Sequence, residues 1–153
     1  MQSVAASGTI QAQTTWLGVV PMSYHFEFDP ANRIIRCHLA GHVSDEDLKE
    51  FYRATERQIA RMSPRAGIAD FSAVTFLDVS PETIRELAKL PPAMPDPSLP
   101  RIVLAPLPQV FGMARMFELQ GEGTRPNLHI VRTEDEVWAI LGVPEPKFQP
   151  LPD

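Results

Sequence analysis

The chain predicts a single α/β domain: a mixed, mostly parallel sheet of four to five strands with about four helices, in the order β-β-α-β-α-β-α-β-α. Three observations lead there. Short apolar runs alternate with amphipathic stretches, the pattern of strands joined by crossover helices. The first two strands are separated by only a short turn, which allows an antiparallel hairpin but no crossover. The run Arg101-Ile-Val-Leu-Ala105 is apolar on both faces, as central parallel strands are.

The first strand, over 24–28, alternates, with Tyr24, Phe26 and Phe28 on one face and His25 and Glu27 on the other. Asp29-Pro-Ala-Asn32 is a turn of suitable residues, and a second strand follows over 33–39. A helix starts at Ser44, with Asp45, Glu46 and Asp47 in the first turn where the helix dipole favours carboxylates. Its apolar stripe, Leu48, Phe51, Tyr52, Thr55, Ile59 and Met62, keeps helical spacing up to Ser63-Pro64. Residues 66–72 read as a buried strand and the next few as a turn. Ser80 then caps a helix that has Pro81 at its first position and turns Ile84, Leu87 and Ala88 inward.

After the 101–105 strand comes a helix from Pro108 to about Leu119, weakened by Gly112 and ended by Gly121-Glu-Gly123. Residues 127–131 form another strand. Thr133-Glu-Asp-Glu136 is a capping box that opens a last helix bearing Val137, Trp138, Ile140 and Leu141, stopped by Gly142 and Pro144. Sixteen prolines punctuate the chain, five of them between Pro91 and Pro100 and four from Pro144 to Pro152. The first cluster marks a loop and the second an extended tail. The expected organisation is a flexible extension over 1–21, the domain over 22–142 and a proline-rich tail over 143–153.

Composition narrows the function classes. The 153 residues include 44% apolar and 22% charged residues, an ordinary globular balance for one domain. A formal charge of −5 without any Lys/Arg stripe argues against nucleic acid as a partner. The first 22 residues contain no Lys or Arg, and no run approaches a membrane span, so neither a signal peptide nor a span is expected. The single cysteine, Cys37, falls inside a strand and suits a small core residue in a reducing cytoplasm. The histidines His25, His38, His42 and His129 lie on or beside strands without metal-ligand spacing, so no metal or other cofactor is expected. There is no nucleophile elbow, dinucleotide fingerprint or P-loop, and no catalytic residue is assigned.

Asp70-Phe-Ser-Ala-Val-Thr-Phe-Leu-Asp78-Val-Ser80-Pro81 resembles the hallmark segment of the STAS domains, the SpoIIAA-like anti-sigma-factor antagonists and their relatives. In that segment a strand leads through a D-S-S-G turn into a helix. The resemblance gives Asp78 the place of the turn aspartate and Ser80 that of the phosphoacceptor serine. Val79 replaces the first serine of the pair, and Pro81 replaces the glycine. It implies a stand-alone STAS-like regulatory domain, non-enzymatic and cytoplasmic, acting by contact with another protein, with a homo-oligomer also open.

If strands 66–72 and 101–105 are parallel neighbours, the loops after each share the sheet's carboxyl edge, where ligands bind in open α/β sheets. Asp78, Ser80, Pro108, Gly112 and Arg115 are the expected binding or regulatory residues there, suited to a small anion at two helix N-termini or to modification at Ser80. Two alternatives stay open. One is a carrier of a small apolar or lipid-like ligand between the 91–100 loop and the helix with Phe111 and Phe117. The other is an enzyme using Asp70 or Asp78 as a base.

Overall fold

Asp29 is 1% exposed, and its carboxylate folds the first turn by accepting from the backbone N–H groups of Ala31 and Asn32 and from the Asn32 side chain. The turn joins β1 (Ser23–Asp29) to β2 (Ile34–Ser44) in an antiparallel hairpin. This is the start of the computed structural model, which describes residues 19–121 and 123–152. α1 (Asp45–Met62) begins with a reciprocal capping box between Ser44 and Asp47. Its last carbonyls, of Met62 and Ser63, accept from the Arg33 guanidinium.

β3 (Ala66–Asp78), β4 (Arg101–Leu104) and β5 (Leu128–Val131) add in parallel beside β2. They alternate with α2 (Pro81–Lys89), α3 (Pro108–Gln120) and α4 (Glu134–Leu141). A short β6 (Gln149–Pro150) pairs antiparallel with β1, so the sheet order is β5-β4-β3-β2-β1-β6. Strand alternation divides the core. One face, with Phe26, Ile35, Cys37 and Leu39, packs under α1, α2 and α3. The other, with Ile34, Ile68 and Ile102, packs under Val137 and Trp138 of α4.

Element order and helix ends agree closely with the sequence expectation, but two features differ. Among the described residues the sheet has six strands, because the proline-rich tail returns as β6. There Leu151 N–H donates to Phe26 O at 2.9 Å, and Gln58 Nε2 donates to Pro152 O at 3.1 Å. Residues 73–78, expected as a turn, continue β3, because β2 also runs on past Leu39 and offers partners through Ser44. That extension passes two register shifts and Gly41 at φ 85°. A Cβ on Gly41 would lie 2.3 Å from Pro21 O, so only glycine lets the backbone of 20–21 lie against β2. Val20 O accepts there from His42 N–H at 2.8 Å. Most of the expected flexible extension lies outside the described residues.

Candidate functional site

β3 ends at the exposed Asp78, Val79 turns inward, and Ser80 caps α2. The Ser80 hydroxyl accepts from Thr83 N–H and donates to Thr83 Oγ1, both at 3.3 Å. Its own N–H donates to Asp45 Oδ1 at 2.7 Å, tying the start of α2 to the start of α1. That hydrogen bond, the largest influence on Asp45, outweighs partial desolvation and holds its carboxyl below the usual range. A carboxylate therefore already occupies the α2 N-terminus, where a free anion would bind.

Pro108 stands at the first turn of α3 and Gly112 one turn on, both exposed, and a Cβ on Gly112 would meet nothing within 4 Å. Arg115 donates to Glu118 on its own helix at 2.6 Å. Asp78 lies 3.7 Å from His42 Nε2. The structure joins the two loops through a residue the sequence did not single out. Gln109 accepts from Leu77 N–H at 3.1 Å and donates to Leu77 O at 2.7 Å. This two-way clamp sets the start of α3 against the end of β3. It leaves Phe76 and Leu107 exposed nearby, at 47% and 39%. Gln109 had no sequence signal, and Asp45 was marked only as a first-turn helix carboxylate, since each acts here on a backbone group that the fold brings to it.

Asp70, the other carboxylate of the segment, is 2% exposed and points to the α4 side of the sheet. Its Oδ2 accepts from Arg36 Nε and Nη2 at 3.0 and 2.6 Å, and its Oδ1 from the Ser72 backbone and hydroxyl. Burial alone would raise its pKa, but the Ser72 bonds and the Arg36 guanidinium outweigh burial and hold it low. An ion-paired carboxylate of this kind is a poor general base. Asp78, by contrast, ends the strand in solvent, its side chain 69% exposed.

A half-open apolar cavity of about 180 Å³ lies between the sheet and α1–α3. Phe51, Leu87, Val110 and Phe117 line it, and Ala93 and Met94 of the proline-rich loop close one side. Phe111, expected on its wall, instead lies under the Arg132 guanidinium, 4.2 Å from ring centroid to Cζ. Cys37 also faces this cavity, and burial pushes its thiol up to about 12, so it acts as packing rather than a nucleophile. Among the described residues no helix is long and apolar enough to cross a membrane.

No protein-family model matches the chain, and no curated protein matches it. Among solved structures, the anti-sigma factor antagonist SpoIIAA in its unphosphorylated form is similar over 80% of this chain and 100% of its own, at 14% identity and a TM-score of 0.53. The Bacillus cell fate determinant SpoIIAA in its phosphorylated form aligns over 76% of this chain and 97% of its own, at 17% identity and a TM-score of 0.49. The first of these likenesses shows that the chain has a STAS-like, SpoIIAA-like α/β fold, as the turn segment implied.

Proposed function

We propose that the chain is a non-catalytic, cytoplasmic STAS-like regulatory domain that acts by binding another protein at the edge formed by β3, α2 and α3. The supporting observation is the surface that the Gln109 clamp assembles: exposed Phe76, Leu107 and Pro108 beside Asp78 and Ser80. Apolar side chains rimmed by polar groups at a sheet edge suit a protein partner. One solved structure that shares the fold is that of an anti-sigma factor antagonist.

Modification at Ser80 fits this edge better than a free anion does, because Asp45 and Glu82 already place carboxylates at the helix start. A phosphate on Ser80 adds about −1.5 to −2 charges within reach of Asp45. Repulsion then breaks the link between α1 and α2 and reshapes the surface. Arg115 contributes little to an anion while it is paired with Glu118.

Capture from the native cell extract tests both parts. Wild type and Ser80→Ala are expected to retain a protein that Ser80→Asp and Phe76→Asp lose. Retention of the same proteins by wild type, Ser80→Ala and Ser80→Asp removes the switch, and retention by Phe76→Asp removes the edge.

The apolar cavity favours a second function, carriage of a small apolar ligand. An environment-sensitive apolar dye is expected to bind the wild type saturably and the cavity-filling Ala114→Phe at least about tenfold more weakly, the effect of losing roughly 1.4 kcal/mol. Equal binding by both folded proteins rules the carrier out.

A further inference from the structure

The sheet face opposite the cavity holds a group of side chains that neither function uses. His25 and Glu27 are two residues apart on β1, so they share a face, and pairing places His38 of β2 directly across from His25. The two imidazoles stack with centroids 4.3 Å apart and planes 9° from parallel. His38 Nε2 lies 2.9 Å from Glu27 Oε1, and one ligand atom from each of the three residues falls within 4.8 Å of the others.

Zinc bonds imidazole nitrogen at about 2.0–2.1 Å and carboxylate oxygen at about 2.0–2.2 Å, which sets tetrahedral ligand atoms roughly 3.3 Å apart. In the stack the ring lone pairs run parallel, so ligation requires the exposed His25 ring to swing out of the stack until its nitrogen converges with His38 and Glu27 on one ion. Behind it, His38 Nδ1 lies 3.5 Å from Asp70 Oδ2. A carboxylate that accepts from this nitrogen fixes the ring's tautomer and is the usual support of a metal-ligating imidazole, and Asp70 stands at the limit of that reach. Asp70 is itself held by Arg36 and Ser72, so the support is rigid.

We propose that His25, Glu27 and His38 form a three-ligand site for a divalent transition metal of the zinc class, with Asp70 orienting His38 and the remaining coordination position facing solvent. His25 is exposed, which leaves an entry path and room for a water ligand. Arg36 Nε stands 4.0 Å from Glu27 and its charge disfavours any cation held by carboxylate alone. The two imidazoles therefore decide the ion, selecting zinc, cobalt, nickel or copper over magnesium or calcium.

Untagged full-length protein, freed of metal, is titrated with Co²⁺ followed by visible absorption, and with Zn²⁺ followed by heat. One equivalent is expected to bind, with Co²⁺ bands of low-coordinate nitrogen and oxygen ligation that Zn²⁺ abolishes and Mg²⁺ does not. His25→Ala and His38→Gln are expected to lose saturable binding, and Asp70→Asn to weaken it about 10–100-fold. His42→Gln and His129→Gln bind as wild type, and far-UV circular dichroism confirms that each variant is folded. No saturable binding, undiminished binding by folded His25→Ala, or full competition by Mg²⁺ overturns the site.

Discussion

Asp70 shows how one side chain can serve two layers of this sheet. It is buried yet charged, which holds only because Arg36 and Ser72 supply donors on both of its oxygens. Arg36 is itself fixed by Glu134 at 2.7 Å and lies over the rings of Trp138 and Phe148. Removing the guanidinium strands a buried carboxylate, so Arg36→Ala is expected to cost about 3 kcal/mol by urea unfolding. The acid response follows from the low native pKa of Asp70. Its contribution to stability is complete above the unfolded value, about 3.9, and is lost as pH falls through the native one. Wild type is therefore expected to lose stability below about pH 4. Arg36→Ala is expected to show a shallower loss over the same range, and equal acid slopes by denaturant titration would count against this assignment.

At the scale of elements, the termini of helices were the most legible. Ser44, Ser80 and Thr133 cap where their patterns placed them, and Gly142 ends α4 at φ 68°. Local signals of this kind need no knowledge of the rest of the chain. Only the inner half of β3 is legible, because its outer part is exposed at Ala73, Thr75 and Phe76 and has no buried run to mark it. Its strand state depends on β2 continuing alongside, which is a long-range fact. β6 was hidden for a related reason: prolines forbid a central strand but tolerate an edge. Its tail also packs, with Phe148 against Trp138 and Leu151 against the main core. Deleting residues 147–153 is expected to lower stability by about 2 kcal/mol, the order expected for exposing two half-buried apolar side chains. An unchanged urea midpoint would show the tail to be an ornament.

For the whole molecule, the order of elements was legible because alternating patterns and short connections leave few topologies. The segment from Asp70 to Pro81 added the STAS-like identity of the fold. The candidate edge was legible only in outline. The chain indicated Asp78, Ser80 and Pro108, while the contacts that shape their surroundings come from Asp45 and Gln109, which bind backbone groups 35 and 32 residues away. The cavity was legible only in outline, as a space between the 91–100 loop and α3, and the histidine cluster was invisible to motif spacing. The first is a property of packing between four elements, and the second arises when hairpin register lays His38 across from His25.

The β6 edge bears on how copies of the chain meet. An open sheet grows by backbone pairing along an outer strand, and a long flat edge invites that growth into fibres. Here one border of the sheet ends in a two-residue strand whose Pro150 has no N–H to offer. The opposite border is β5, only four residues long. Neither of these two terminal strands gives an incoming strand much to copy. At this border, strand-by-strand growth is hindered, and the prolines that looked like an unstructured ending act there as a guard against polymerisation.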